Sequence, residues 1–379
     1  MNAPNAPASV PPPAPPRLVS VDALRGFTMV WIVGADALAD AFRGLDGGAV
    51  SAWLGVQLGH TAWEGLTFYD LIFPLFLFIV GVAVPLSLDR IVEREGRSAA
   101  LRRVLVRGLI MYTLGVLYYG GISHGWDQIR WVGVLQRLAA GYVAAALLHL
   151  WCRPRTIVAV GATLLVGYWA LLTFVPVPGV GAGDYARGRN LANWVDAHWL
   201  PGKVWYGDYD PEGLLSTLPA LVSALLGLAA ARVLRDENRS AAGRLRWLVV
   251  AGAVLLALGH LWGLQFPICK RIWTSSYVLV TGGWSFLLLA LFHGLIDVRG
   301  WRGWATPFVW VGSNALLIYF VSRVVDFRAV SSFFVGGEVA TALNAAWTGL
   351  GGLVLAVTSV VLCVALCGAL YRKKVFLRI

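Results

Sequence analysis

Charged residues are scarce in this sequence. Asp, Glu, Lys and Arg together make up 13% of its 379 residues, whereas 58% are hydrophobic and 18 are tryptophan. A soluble domain of this length cannot bury so much apolar surface, so lipid must be the solvent for much of the chain. The composition therefore excludes an ordinary soluble protein and predicts an all-α, polytopic membrane helix bundle.

Several kinds of functional site are missing as well. The four cysteines (Cys152, Cys269, Cys363 and Cys367) have neither the spacing of a disulfide framework nor that of zinc ligands, so no metal is expected. No Gly-x-Ser-x-Gly elbow, Walker motif or His-Glu-x-x-His pattern occurs in the sequence. Standard hydrolase, ATPase and zinc-protease functions therefore lack support.

Acidic residues are outnumbered by basic ones. The chain has 31 Lys and Arg against 20 Asp and Glu, which gives a net charge of +11. The basic residues cluster in the gaps between apolar runs, a pattern typical of membrane topology signals. We therefore expect membrane lipid as a partner and no nucleic acid.

The apolar residues form long runs. A helix needs about 20 of them to cross a bilayer, and ten such runs are found. They lie at residues 23–42, 66–88, 104–120, 131–150, 157–176, 213–233, 247–263, 273–295, 306–324 and 346–370. The sequence thus predicts about ten transmembrane helices.

Charge in the connecting segments predicts the orientation. Twenty basic residues fall in one alternating set of segments and nine in the other. The positive-inside rule then puts both termini in the cytoplasm of a multi-pass protein of the inner (plasma) membrane. The longest outer loop, near residues 177–211, mixes aromatic residues and carboxylates. It suits a sugar or another polar ligand, and equally a membrane-surface loop with interfacial tryptophans.

The N-terminal segment has a different composition. Residues 1–16 are almost entirely Ala, Pro, Asn and Val, which predicts a disordered tail. They lack the basic and apolar regions of a signal peptide, so we expect the first apolar run to be an uncleaved anchor. Residues 17–379 are then a single transmembrane domain.

One histidine lies in an informative position. His60 occupies a short polar loop ten residues before Asp70, which begins an apolar run. A titratable imidazole at the membrane surface beside a carboxylate at membrane depth indicates proton-transfer chemistry. Spacing alone also allows an interfacial histidine without chemistry.

Three charged residues of different runs are expected at one depth. From a rise of about 1.5 Å per residue, Asp36, Asp70 and Arg137 fall in a layer beneath the His60 loop. Charges inside membrane helices are costly and are usually functional or paired. Arg137 can therefore either neutralise an aspartate or orient a substrate.

Two further polar residues are candidates for binding. Arg25 lies at the cytoplasmic entrance of the first run, where it can meet phosphate groups or extend to the interface. Asn314 lies in the middle of a run and can join neighbouring helices or bind a ligand.

Six segments together carry a family resemblance. They are RLVSVDALRG (17–26), the stretch 60–81, GVLQRL (133–138), YDPEG (209–213), WTSSY (273–277) and GSNA (312–315). In this order they resemble the membrane-bound heparan-α-glucosaminide N-acetyltransferase family and its bacterial relatives.

The resemblance implies an enzyme that takes acetyl-CoA from the cytosol and acetylates an amino sugar on the far side of the membrane. The family's catalytic histidine falls on His60, and Asp36 stands where the family commonly has asparagine. The large glycan-facing N-terminal domain of the lysosomal enzyme has no counterpart here, so heparan sulfate is not the expected acceptor.

From residues and resemblance together we predict an acetyl-CoA-dependent N- (or O-) acyltransferase. Its expected catalytic residues are His60, Asp70 and Asp36, with His60 as general base or transient acetyl carrier. The residues expected to bind acetyl-CoA, the co-substrate, are Arg25, Gln136, Arg137 and Asn314. The partners are a periplasmic sugar or glycan and membrane lipid, and a homodimer is left open. The alternative is a transporter or flippase for a sugar or lipid-linked metabolite.

Overall fold

The chain folds into helices joined by short turns. A computed structural model describes residues 18–123 and 125–377, so the predicted tail at 1–16 lies outside the described residues. Within those two ranges there is no strand, only three isolated β-bridges. The α-helices are α1 (Val19–Gly44), α2 (Gly48–Gln57), α3 (Phe68–Tyr118), α4 (Val134–Trp151), α5 (Pro154–Phe174), α6 (Leu191–Trp199), α7 (Leu214–Leu234), α8 (Ala241–Gly263), α9 (Ser275–Phe292), α10 (Thr306–Ser313), α11 (Ala315–Val324), α12 (Phe327–Val335), α13 (Gly337–Ala346) and α14 (Leu350–Arg372).

Short helical turns extend some of these elements. A π-helical turn, His293–Val298, continues α9, and 3₁₀ turns lie at Trp126–Gln128 and Gly303–Ala305. Every predicted apolar run coincides with helix, because a long apolar run that must satisfy its backbone in lipid has no other local solution.

Seven helices of the described residues are long and apolar enough to cross a membrane. An eighth span results if the bent pair α10 and α11, which meet at 69°, is counted as one. The protein is therefore a multi-pass membrane protein. Helix α1 is 26 residues long but is not among the seven, because its five charged residues are spread along its length. The expected ten spans and the cytoplasmic termini remain predictions.

Helix α3 is a hairpin rather than a rod. Its 51 residues would extend about 77 Å as a straight helix, far more than a bilayer core of about 30 Å. At Gly96 the backbone leaves the helical region, with φ 84° and ψ 173°. Before this turn Asp89 contacts His149 near the end of α4, and after it Gly115 packs against Gln136 near the start of α4. The chain therefore reverses direction at Gly96.

Small residues bring α3 and α7 into close contact. A side chain on Gly81 would collide with the carbonyl of Ala224, and one on Gly227 with the carbonyl of Phe78. Such backbone approach is typical of helix packing in membranes, where van der Waals contact replaces the hydrophobic driving force. This close packing holds the start of α3, with Asp70, beside the start of α7.

Candidate active site

The loop between α2 and α3 holds His60 against the first turn of α3. Asp70 is the third residue of that helix and forms a capping box with Thr67, the residue at the helix start. One carboxylate oxygen, Oδ2, accepts hydrogen bonds from the backbone and side chain of Thr61 at 3.1 and 3.0 Å. The other, Oδ1, lies 2.8 Å from His60 Nδ1. The predicted partnership of His60 and Asp70 is therefore present in the geometry.

In one of the two imidazole tautomers, this contact leaves Nε2 as the nitrogen that can react. A proton on His60 Nδ1 can be donated to Asp70, whose side chain is fully buried. The lone pair is then on Nε2, and the His60 side chain is 35% exposed. A histidine held in this tautomer by a carboxylate is suited to accept a proton from a substrate.

Lys270 is a third member of the site that sequence reasoning missed. It comes from the loop between α8 and α9, and its Nζ lies 2.9 Å from His60 Nδ1 and 3.1 Å from Asp70 Oδ1. Burial lowers the pKa of Lys270, while the Asp70 charge opposes that change. From sequence this lysine was one of the basic loop residues, and no local pattern distinguishes it from the others.

Asp36 is linked to the site through Tyr69. The Tyr69 ring is stacked on the His60 imidazole, with ring centroids 4.4 Å apart and planes within 5°. The Asp36 carboxylate interacts with the Tyr69 hydroxyl. The structure thus brings the three predicted catalytic residues to one end of the bundle, with Asp36 in an indirect position.

Arg137 does not neutralise either aspartate. Its guanidinium donates hydrogen bonds to the Pro211 and Gly213 carbonyls, at 3.1 and 3.3 Å, and to the Ser216 hydroxyl at 2.6 Å. It also lies 4.8 Å from the centre of the Trp273 ring. These contacts tie the start of α4 to the start of α7, so the ion-pair alternative considered for Arg137 is wrong.

A second ionic cluster, also missed from the sequence, lies beside Arg137. The buried Arg130 binds both carboxylate oxygens of Asp210, at 3.0 and 2.7 Å, and Glu212 Oε2 at 2.7 Å. Its guanidinium lies against the rings of Tyr119 and Trp205, 4.3 and 4.4 Å from their centres. The carboxylates raise the pKa of Arg130 against the opposing effect of burial. From the sequence, the YDPEG motif and the carboxylates and aromatic residues of the loop near residues 177–211 pointed to this region, but not to the ion pairs.

The residues expected to bind acetyl-CoA fall into two groups. Gln136 donates to the Arg130 carbonyl at 3.2 Å and lies, like Arg137, at the His60 end of the bundle. Arg25 instead contacts the Gly312 carbonyl at 3.3 Å on α10. Asn314 bonds the backbone of Val375 and Leu377, whose chain closes the break between α10 and α11. In this structure the side-chain amide of Asn314 therefore binds protein backbone.

Aromatic side chains join the predicted outer loop to the His60 loop. The Trp63 indole donates to the Tyr185 carbonyl at 2.9 Å and packs edge-on against Tyr209. Arg271 bridges the Tyr206 hydroxyl and the Thr61 carbonyl, at 2.9 and 3.2 Å. The segment near residues 177–211, which suits either a polar ligand or a membrane-surface loop, is thus in direct contact with the loop that carries His60.

No group of three His, Cys, Asp or Glu side chains with metal-binding geometry occurs in ranges 18–123 and 125–377. The site around His60 contains an imidazole, a buried carboxylate and a buried lysine amine.

Comparisons with known proteins agree with the resemblance. A family model described as a domain of unknown function, DUF5009, matches residues 17–127. The heparan-alpha-glucosaminide N-acetyltransferase of Homo sapiens is 28% identical over 435 residues, which cover 96% of this chain and 60% of that protein. The Mus musculus protein of the same name is 28% identical over 374 residues, covering 82% of this chain and 54% of that protein. The chain spans only about half to three-fifths of the length of these relatives. The resemblance to this family is confirmed.

Proposed function

We propose that this chain is a transmembrane acetyltransferase that moves an acetyl group from cytosolic acetyl-CoA to an amino sugar or glycan on the periplasmic side of the inner membrane. The observation that carries the proposal is the 2.8 Å contact between His60 and the buried Asp70 at the edge of the bundle. The similarity over 96% of the chain to a protein named as an N-acetyltransferase supports the type of reaction.

In this mechanism His60 Nε2 removes a proton from the acceptor amine, after the ammonium form has released its first proton to solvent. The amine nitrogen attacks the thioester carbonyl, a C–N bond forms, and the C–S bond breaks. The proton taken by His60 passes to the departing sulfur, so the products are the acetamide and CoA. Asp70 keeps the imidazole in the reactive tautomer and stabilises its positive charge.

In its protonated form, Lys270 supplies a positive charge next to this histidine. Its Nζ lies 3.4 Å from His60 Nε2, and in the proposed mechanism it stabilises the negative charge that the thioester oxygen gains. In the same proposal acetyl-CoA spans the bundle, with its phosphates toward Arg25 and its acetyl group toward His60. Arg137 and Gln136 would then lie close to the acetyl end.

A transient acetyl-histidine is the competing route within the same function. Here His60 attacks the thioester, CoA leaves, and the acceptor then takes the acetyl group from the imidazole. Purified protein incubated with radiolabelled acetyl-CoA and no acceptor distinguishes the two. Label that stays on the wild-type protein after acid-free gel filtration, and is absent from His60→Ala, supports the covalent route.

The function itself is tested with purified protein in nanodiscs, labelled acetyl-CoA and a panel of amino sugars and glycan precursors. Product mass and CoA thiol release are measured together. We expect acetylated product from the wild type and none from His60→Ala. His198→Ala is the matched control, since His198 is an exposed histidine of α6 that contacts Trp194.

Two results would overturn this assignment. One is retained turnover by a folded His60→Ala protein. The other is the absence of both acetylated product and CoA release from the wild type with every acceptor, together with sugar flux across a vesicle membrane that does not depend on acetyl-CoA. That second result would favour the transporter alternative.

A further inference from the structure

Arg271 joins two loops that are far apart in the sequence. Its guanidinium donates a hydrogen bond from Nη1 to the Tyr206 hydroxyl at 2.9 Å and another from Nη2 to the Thr61 carbonyl at 3.2 Å. Tyr206 belongs to the predicted outer loop, and Thr61 follows His60. Both acceptors are neutral oxygens, so the contact is a geometric bridge rather than an ion pair. The planar fork of an arginine holds two acceptors in fixed directions, which the point charge of an ammonium does not do.

The Thr61 end of this bridge leads to the proposed base. Thr61 donates to Asp70 Oδ2 from its backbone N–H at 3.1 Å and from its hydroxyl at 3.0 Å. The other carboxylate oxygen, Oδ1, lies 2.8 Å from His60 Nδ1. A carboxylate is planar, so the bonds that hold Oδ2 also fix the direction from which Oδ1 meets the imidazole. Arg271 is therefore connected through one residue to the group that orients His60.

Lys270, the neighbour of Arg271, makes the orientation of this carboxylate important. Its Nζ lies 2.9 Å from His60 Nδ1 and 3.1 Å from Asp70 Oδ1. A protonated lysine can donate to Nδ1, which leaves the imidazole proton on Nε2, whereas an ionised carboxylate can only accept from Nδ1–H. The position of Oδ1 therefore decides whether His60 has a free lone pair on Nε2.

The turn that carries Arg271 has an unusual backbone conformation. Trp273 is 1% exposed and has φ 51°, in the left-handed region that bulky residues rarely adopt. Its N–H donates to the Lys270 carbonyl at 3.0 Å, which closes the turn. An antiparallel bridge between Cys269 and Glu64 attaches the turn to the loop between α2 and α3. Such strain persists only where the surrounding contacts hold it, and it is found most often at functional sites.

We propose that Arg271 is a positioning residue. By bridging the outer loop to Thr61 it fixes the Asp70 carboxylate, so that His60 keeps its proton on Nδ1 and a lone pair on Nε2. This inference rests on the proposed function and adds to it a residue that acts through Thr61 and Asp70 rather than on the substrate. The outer loop then completes the site, because the Tyr206 hydroxyl holds the far end of the bridge.

Two conservative variants each remove one end of the bridge. Arg271→Lys keeps the charge but lacks the fork, and Tyr206→Phe keeps the ring that stacks on Tyr209 but lacks the hydroxyl. We expect each to lower kcat about tenfold, less than the 10²–10⁴-fold expected when an orienting carboxylate itself is lost, with KM for acetyl-CoA within about twofold of the wild type. The double variant should lose no more than the worse single variant, because all three lack the same bridge. Arg189→Lys, the same change in the exposed Arg189–Asp184 pair of the outer loop, should leave kcat unchanged.

The tautomer of His60 gives a readout that does not require turnover. ¹⁵N NMR of histidine-labelled protein distinguishes protonated from unprotonated ring nitrogens, and the spectrum of His60→Ala identifies the His60 signals. At about pH 8, where an ordinary imidazole is neutral, we expect the proton on Nδ1 in the wild type and a shift toward Nε2 in Arg271→Lys. If Arg271→Lys fails to fold, Tyr206→Phe gives the same comparison, because it removes only a hydroxyl group from a residue of an exposed loop.

Three results would overturn the inference. The first is a kcat for Arg271→Lys within about twofold of the wild type, and the second is a pair of single-variant losses that multiply in the double variant. The third is a lowered kcat with an unchanged His60 tautomer, which would show a structural role alone.

The remaining outcomes separate the two proposals. A wild type that transfers acetyl with the His60 proton on Nε2 would overturn the positioning role and leave the acetyltransferase standing. A protein that transfers acetyl to nothing, but whose His60 tautomer shifts in Arg271→Lys, would support the positioning role and overturn the proposed reaction. An inactive protein whose tautomer does not shift would overturn both.

Discussion

The contact between Lys270 and Asp70 predicts a strong energetic coupling that a double-mutant cycle can measure. Asp70→Asn removes a fully buried anion whose Oδ1 is shared by His60 and Lys270. Breaking a buried ion pair by removing one partner costs about 3–5 kcal/mol of stability. We expect the lower end, about 3 kcal/mol, because burial already lowers the pKa of Lys270 and the stranded lysine can lose its proton.

The second variant removes the cation. Lys270→Met keeps the length of the side chain, and it leaves Asp70 with the hydrogen bonds from Thr61 and Thr67. Its cost should be about 1–2 kcal/mol. The double variant has neither charge, so it should be more stable than the sum predicts, with a coupling of about 1.5–3 kcal/mol. Unfolding in micelles with a rising SDS fraction gives these values.

Activity should follow a different pattern from stability. Asp70→Asn removes the group that orients His60, and loss of such a carboxylate lowers kcat by about 10²–10⁴-fold. Adding Lys270→Met should restore stability but not that activity, because the imidazole still lacks its partner. If the stability changes of the two single variants add up to that of the double variant within about 0.5 kcal/mol, the contact between Asp70 and Lys270 contributes nothing to stability. A kcat for Asp70→Asn within threefold of the wild type would refute the orienting role.

Three other predictions concern single positions. Burial raises the pKa of Asp196 to about 6. The stability of the wild type relative to Asp196→Asn should therefore fall by up to about 3 kcal/mol as the pH rises from 4 to 6. A constant difference in stability over this range would contradict the prediction. Gly96→Ala should lower the free energy of unfolding by about 1–2 kcal/mol, because φ is 84° at this position. Gly167→Ala lies within α5 with open space around it, so the same unfolding measurement should find it neutral or slightly stabilising. Tyr69→Phe keeps the ring stacked on the imidazole and should retain activity within threefold, while Tyr69→Ala should lose about tenfold in kcat/KM; equal rates for the two would exclude a role for stacking.

The parts of the fold that follow from local signals were accessible from the sequence. Apolar runs give helices because lipid leaves the backbone no other partner, and the helices coincide with those runs. The reversal at Gly96 falls in the charged segment between the predicted runs 66–88 and 104–120, where two separate spans require one, although the continuation of helix up to and beyond this glycine was not predicted. The bend at Asn314 was not predicted either. An asparagine inside an apolar run carries no local instruction to turn, and the turn depends on contacts made elsewhere in the chain.

The candidate site also contains some residues whose contacts could be predicted from the sequence and others whose contacts could not. His60 and Asp70 are ten residues apart and meet through one loop and a helix cap, so their partnership was visible in the sequence. Lys270 is 210 residues from His60, and Arg130 is 82 from Glu212. Both basic residues have the sequence context of ordinary loop charges. Only tertiary packing distinguishes a buried cation from one that follows the positive-inside rule.

The Asn314 contacts also constrain how the protein is made. The side chain at the α10–α11 break bonds to residues 61 and 63 positions further along the chain. During synthesis α10 and α11 therefore enter the membrane well before these partners exist. Until α14 has been inserted and the segment after it folds back, the Asn314 amide can form hydrogen bonds only with water or lipid headgroups. Assembly of this half of the bundle is thus completed from its C-terminal side, after translation of all its helices.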